Sequence, residues 1–154
     1  AMNYYNLKNQ LVKSVTPGGV VTLYTYDNLG RQISQAIDMN RNGEIDAADL
    51  VTSTAYSYGT QNGKTVSITT QTRSQGANSA VISVKKQSVD GLESWQTNLN
   101  GLTTHTKLER LGGGNTRQTV TNPDGTKVVT NSNNGRVITV QSINSDNTNG
   151  NLIT

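Results

Sequence analysis

The side chains best suited to chemistry lie in one short segment, from Asp38 to Asp49. Side chains with oxygen atoms stand at positions 1, 3, 5, 9 and 12 of this segment. Gly43 at position 6 permits a sharp turn, the Glu44 carbonyl at position 7 points inward, and Ile45 at position 8 is an apolar anchor. Calcium takes about six to eight oxygen ligands, and this spacing wraps the chain once around such an ion. The sequence therefore predicts a calcium loop of the EF-hand type with these ligand residues: Asp38, Asn40, Asn42, Glu44, Asp46 and Asp49.

The loop departs from an EF-hand in two respects. Position 12 is Asp49 rather than Glu, which resembles the calcium loops of dockerins. The flanking segments also alternate or are rich in β-branched residues, so that residues 47–50 form at most one helical turn. We expect a calcium staple between two strands, in which the ion relieves the crowding of the loop carboxylates. The alternative is a polar turn that binds nothing.

The composition indicates that thin β-structure positions this loop. Of the 154 residues 32% are hydrophobic, 5% are aromatic and none is Phe, which is too little to fill a thick core. Only 15% of the residues are charged, whereas disordered chains are usually rich in charge and proline. The polar residues are mostly Thr, Asn, Ser, Gln and Gly, which favour half-exposed strands and turns.

Strand-length runs alternate with turn signals along the whole chain. Asp90-Gly91 and Asn100-Gly101 indicate type I′ hairpin turns, and residues 122–125 and 133–135 indicate further turns. Residues 112–114 form a Gly-rich loop without a phosphate-binding ending. The tail from residue 145 to residue 151 is expected to fray or to begin a further repeat. The predicted fold class is all-β, an antiparallel hairpin meander, divided into residues 1–37, the calcium loop at 38–50 and further hairpins at 51–154.

Internal repetition points to a family. The segment Tyr26–Arg31 aligns with Tyr5–Gln10, and the turn at residues 16–19 is echoed at residues 122–125. Residues 17–31, with the pair Tyr26-Asp27, resemble the tyrosine-aspartate (YD) repeat of Rhs-type proteins and teneurins. The likeness is specific over residues 16–33 and weaker at 4–11 and 121–140. The resemblance implies a hollow β-shell of stacked hairpins in a large secreted or cell-surface protein, either around a toxin domain or in an adhesive ectodomain.

Other features indicate no further chemistry. The only histidine, His105, is predicted to be an exposed strand residue on one face with Lys107 and Glu109, with no catalytic partner nearby. The basic residues are scattered, although the net charge is +3, so we expect no nucleic-acid partner. With no cysteine, thiol chemistry is excluded, and no apolar run reaches the roughly 18 residues that span a membrane. An export signal of the parent protein would lie outside these residues.

Two functional hypotheses remain. The first is a non-enzymatic structural segment whose partners are neighbouring repeats of the parent protein, with calcium as cofactor and with exposed strand edges that let the fragment self-associate. The second is an adhesion module that presents Trp95, Tyr56 and Tyr58 to a glycan or protein ligand. For Trp95 taken alone, a position as a core or interlayer anchor is favoured over this exposed use. No catalytic residues are predicted.

Overall fold

The computed structural model describes residues 1–145 and the backbone of a final strand at residues 152–153. No helix occurs in residues 1–145. Every strand lies beside its neighbours in sequence, in a 13-stranded sheet. The all-β antiparallel meander predicted from the sequence is therefore confirmed. The strands are β1 (Met2–Tyr5), β2 (Leu11–Val15), β3 (Val21–Tyr26), β4 (Gln32–Ile37), β5 (Leu50–Gln61), β6 (Lys64–Gln75), β7 (Asn78–Ser88), β8 (Glu93–Asn98), β9 (Thr103–Gly112), β10 (Asn115–Thr121), β11 (Lys127–Asn133), β12 (Arg136–Ile143) and β13 (Leu152–Ile153).

The chain divides into two compact units. The first contains residues 1–56 and 69–83, and the second contains residues 57–68 and 84–154. Strands β5, β6 and β7 are therefore shared between the units. The predicted tail falls, beyond Ser145, outside the described residues.

The first unit holds its strands together with a small core and with tyrosine hydroxyls. Leu23 on β3 and Ala36 on β4 are cross-strand partners, and both are buried. The Tyr26 hydroxyl donates to the Leu11 carbonyl oxygen at 2.8 Å, and the Tyr24 hydroxyl lies 3.4 Å from Ser14 Oγ. Since both tyrosines of β3 reach β2, they connect the β3–β4 hairpin to the hairpin before it.

One turn geometry recurs in both units. Each such turn begins at a residue that we call the head residue. Its carbonyl oxygen accepts the N–H of the residue three positions later, and its own N–H donates to the carbonyl oxygen of the residue four positions later. The third residue after the head has a positive φ, from 58° at Asn9 to 85° at Gly125. This is a type I turn closed by a left-handed residue, the usual three-residue hairpin loop. The head residues are Asn6, Thr16, Asp27, Asn98 and Asn122.

Neither predicted type I′ turn is present: the recurrent geometry replaces it at Asn100-Gly101, and at Asp90-Gly91 the Gly91 N–H donates to the Ser88 carbonyl oxygen at 2.8 Å. Only the glycine of each predicted pair has a positive φ, at 72° for Gly91 and 75° for Gly101, whereas type I′ requires it at both positions. At the second turn the Asn98 side chain decides the shape, because its Oδ1 accepts the N–H groups of Asn100 and Leu102 at 3.0 and 3.1 Å. Two positive φ values in succession occur instead at residues 62–63 and 134–135, each a two-residue loop between strands.

The second unit has a similarly thin core. Its buried apolar side chains, among the described residues, are Val66 on β6 and Trp95 on β8. Most side chains on β9 to β12 are half-buried. This pattern agrees with the low apolar fraction, because a sheet with so few buried side chains needs little apolar volume.

Candidate calcium site

The loop from Asp38 to Asp49 joins two paired strands. Its ends adjoin Ile37 on β4 and Leu50 on β5, which are cross-strand partners. The Asp38 N–H also donates to the Val21 carbonyl oxygen on β3 at 3.0 Å. The loop therefore begins and ends on the sheet, and its twelve residues connect neighbouring strands.

The loop side chains bond to the loop's own backbone in a regular order. Asp38 Oδ2, at position 1, accepts the N–H of Gly43, at position 6, at 3.0 Å. Asn42 accepts the Glu44 N–H on its Oδ1 at 2.8 Å and donates its own backbone N–H to Asn40 Oδ1 at 3.1 Å. These contacts set the curvature before any ion enters, and each amide oxygen keeps a second lone pair for a cation.

The loop backbone turns sharply at two positions. Gly43 has a φ of 81°, and Arg41, at position 4, has a φ of 59°. A Cβ placed on Gly43 would meet nothing within 4 Å, so glycine is needed there for its backbone conformation rather than for space.

The acidic ends of the loop are buried. Asp49 is 0% exposed and accepts two backbone N–H groups, from Met39 at 2.9 Å and from Asp46 at 3.1 Å. Asp38 is 5% exposed, and its Oδ1 is the one buried side-chain polar atom in residues 1–145 without a hydrogen-bond partner. A buried carboxylate oxygen without a partner is costly, and a bound cation would satisfy it.

The sequence predicts that the carboxylates of the loop crowd together, but in the structure they do not. Within the described residues, no group of three or more His, Cys, Asp or Glu side chains is arranged to hold a metal ion. Asp49 is turned onto backbone N–H groups, and Asp46 Oδ2 accepts the side-chain amides of Asn40 at 2.9 Å and Asn42 at 2.7 Å. Hydrogen bonds to N–H donors therefore offset much of the expected repulsion.

Asp46 keeps its negative charge readily in this arrangement. The Ala48 N–H donates to its Oδ1 at 2.8 Å. That bond first, and then the amides of Asn40 and Asn42, hold the pKa of Asp46 below its ordinary value. The donor set of carboxylate, amide and backbone oxygens is one that calcium accepts. Glu44 is exposed, so only its backbone carbonyl belongs to the predicted ligand set.

A second cluster, in the second unit, was not predicted. Glu93 is nearly buried and lies between Lys64, at 2.7 Å, and His105, at 3.1 Å. The bond from Lys64, against the opposing effect of burial, holds the pKa of Glu93 below its ordinary value, and the reciprocal bond raises the pKa of Lys64. His105 is half-buried rather than exposed, with its ring stacked on Trp95 at 4.9 Å between centroids.

These positions correct the predicted adhesion surface. Trp95 is 6% exposed and has no free face to offer a ligand, so its core alternative is confirmed. Tyr56 is 38% exposed and carries the Arg31 guanidinium 4.1 Å from its ring centroid, whereas Tyr58 is 78% exposed. The Glu93–His105 contact could not be predicted from the sequence, because it depends on the register between β8 and β9.

The repeated turn and the aligned tyrosines agree with one comparison. Residues 5–44 match the RHS Repeat family. The match covers 40 of the 154 residues and includes the first half of the Asp38–Asp49 loop. The RHS repeat is a structural repeat, so the Rhs-type likeness is supported for this part of the chain. A search of curated proteins finds no match to the chain. No helix within the described residues is long and apolar enough to cross a membrane.

Proposed function

We propose that this chain is a non-enzymatic structural segment of a large secreted or cell-surface Rhs-type protein, and that calcium in the Asp38–Asp49 loop stabilises its part of a β-shell. The unpartnered, buried Oδ1 of Asp38 carries the calcium proposal. It lies in a loop whose other donor oxygens are already held in order by the backbone.

The structural role rests on the repeat. Beyond the matched residues 5–44, the same turn geometry returns at Asn98 and at Asn122 in the second unit. A turn that recurs with the same two backbone bonds and with a left-handed residue at the same place supports a chain of related hairpins. Each such hairpin is short and half-exposed, and it gains stability mainly from the hairpins on either side.

Calcium would act on the sheet through the ends of the loop. The loop is bounded by the cross-strand pair of Ile37 and Leu50, and the Ala47 carbonyl accepts the Gly76 N–H, in the β6–β7 turn, at 2.7 Å. An ion that orders the loop therefore also holds two strand ends and a neighbouring turn. This is a structural use of calcium, since no pair of helices is present in residues 1–145 for the ion to open.

Titration calorimetry tests the proposal. We expect calcium to bind with a stoichiometry of one per chain, and the conservative variant Asp38→Asn to weaken that binding strongly because it removes a ligand charge. Asp27→Asn is the matched control, since Asp27 also heads a sharp turn and bonds to Arg31 at 2.7 Å outside the loop. Absence of calcium binding, or equal binding by both variants, would remove calcium from the proposal.

The partners of such a segment are further strands. β1 stands at one end of the strand order, and its exposed side chains include Met2, Tyr4 and Tyr5. An unpaired edge of this kind invites another strand, so we propose that the isolated chain self-associates through β1. Light scattering over a range of concentrations measures this: a rising mass is expected, and a monomer at every concentration would contradict it.

A further inference from the structure

A cleft in the first unit brings two opposite charges together over an apolar surface. It has a volume of about 730 Å³, within the range of small-molecule sites. Residues 43–45 of the loop form one wall, and side chains of β1, β2 and β3 form the other. Tyr4, Lys13 and Leu23 are successive cross-strand partners, so their side chains lie in one row on the same face of the sheet. The cleft lies between this row and the loop.

The two charged groups of the cleft have no ionic partners. Lys13 is half-buried, and its Nζ lies 5.8 Å from the centroid of the Tyr4 ring, a favourable but weak contact for an ammonium group. Glu44 is exposed on the loop wall. Within the described part of the chain neither residue forms an ion pair, with the other or with any third residue. The buried Leu23 and the half-buried Ile45 add apolar surface to the cleft.

This combination selects a ligand class. A purely apolar ligand would leave both charges without partners, and a ligand with one charge would pair with one group and be repelled by the other. A free α-amino acid carries an ammonium group and a carboxylate on one carbon atom, so it satisfies both groups at once. We propose that the cleft binds a free α-amino acid with a large apolar side chain. Its carboxylate pairs with Lys13, its ammonium group pairs with Glu44, and its side chain packs on Leu23 and Ile45.

The same two charges distinguish a free amino acid from a residue of a peptide. An internal residue of a peptide carries neither charge on its backbone. The first residue of a peptide has the ammonium group without the carboxylate, and the last residue has the carboxylate without the ammonium group. Each of these would therefore leave Lys13, Glu44 or both without a partner in the cleft.

The loop wall is held by bonds within the loop itself. The N–H of Gly43 donates to Asp38 Oδ2 at 3.0 Å, and the N–H of Glu44 donates to Asn42 Oδ1 at 2.8 Å. The charges that recognise the ligand belong to Lys13 and to the side chain of Glu44, which is not among the oxygen donors proposed for calcium. The amino-acid site is therefore independent of the calcium proposal, and the failure of either leaves the other standing.

Saturation-transfer NMR titrations of the full chain test the inference, in excess calcium and at about pH 6.5, where a free amino acid carries both charges. The probes are L-phenylalanine, N-acetyl-L-phenylalanine, which lacks the ammonium group, and L-phenylalaninamide, which lacks the carboxylate. We expect phenylalanine to bind more tightly than either blocked form by about fivefold, the upper range for a partly exposed ion pair.

Two substitutions assign each charge to its partner. Lys13→Gln removes the partner of the carboxylate, so this variant should bind phenylalanine and phenylalaninamide with similar affinity. Glu44→Gln removes the partner of the ammonium group, so this variant should bind phenylalanine and N-acetylphenylalanine with similar affinity. Lys8→Gln is the matched control, because Lys8 is an exposed lysine that does not line the cleft, and it should keep both preferences.

Three results would overturn the inference. Phenylalanine that does not bind, or that binds no better than its blocked forms, refutes the site. Preferences that persist in Lys13→Gln and Glu44→Gln place the ligand elsewhere on the chain. Tighter binding of a blocked form would assign the cleft to one end of a peptide and would refute the free amino acid.

Discussion

Asp49→Asn tests the loop most directly, because it changes charge with almost no change in volume. Asp49 is 0% exposed and accepts the N–H groups of Met39 and Asp46. Asparagine keeps one acceptor oxygen, but its amide nitrogen then faces a backbone N–H. Leaving that donor without a partner costs about 1–3 kcal/mol, so the variant should unfold more easily than the natural chain in EDTA.

The larger effect should appear in calcium. At a hundredfold excess over its dissociation constant, a ligand that binds only the folded state adds about 2.7 kcal/mol. For a chain of this size that shifts the melting temperature by about 5–11 °C. If Asp49→Asn weakens binding a hundredfold, the same calcium concentration adds only about 0.4 kcal/mol, or about 1 °C.

Thermal unfolding followed by circular dichroism, in EDTA and in excess calcium, measures both effects. Asp124→Asn is the control: Asp124 accepts the Thr126 N–H at 3.0 Å in an exposed turn far along the chain from the loop. It should keep the full calcium shift. Equal melting of the natural chain in both buffers would refute the reasoning, and so would a calcium shift that Asp49→Asn leaves intact.

Three further changes probe the turns and the second cluster. Asn98→Ala removes the acceptor of two backbone N–H groups and should lower the free energy of unfolding by about 1–2 kcal/mol in urea, whereas Asn100→Ala should change it little. Gly30→Ala, at a φ of 81°, should cost about 1–2 kcal/mol by the same assay, and Gly18→Ala, without a positive φ, should be nearly neutral. Glu93→Gln should cost about 1–2 kcal/mol at neutral pH. Because folding lowers the pKa of Glu93, its contribution to the free energy of unfolding is present above the ordinary pKa of 4.5 and is lost as the pH falls through the folded value. The variant should therefore lose less stability in acid than the natural chain, which a pH series of urea melts measures.

The features that the sequence predicts correctly are local. The position of a turn depends on a few adjacent residues, so the hairpin order could be read from Asn, Asp and Gly residues. The type of the turns at Asp90-Gly91 and Asn100-Gly101 could not be read in the same way, because such a dipeptide fits both a two-residue loop and a longer one. The side chain of Asn98, two residues earlier, decides between them by bonding the backbone of a longer loop.

The features that the sequence misses depend on register. Lys64, Glu93 and His105 lie on three different strands, and only the pairing of those strands brings them together. The alternation of side chains along a strand places His105 on the same face as Lys107. It does not show which residues of the neighbouring strands lie beside His105 on that face. The pairing of Trp95 with His105 explains why His105 is less exposed than predicted: each ring covers the other, so neither is as exposed as an isolated strand residue would be.

The connection between β4 and β5 in the first unit is the one that carries the buried acids Asp38 and Asp49. The hairpins headed by Asn6, Thr16 and Asp27 close with three-residue loops, whereas β4 and β5 are joined by twelve residues between the paired Ile37 and Leu50. Fixing the backbone of each loop residue costs about 1–2 kcal/mol, and this loop buries little apolar surface to offset that cost. Side chains that bond the backbone recover part of it, but Asp38 Oδ1 remains without a partner. An ion bound there would satisfy that oxygen and offset part of the entropic cost of ordering the loop between β4 and β5.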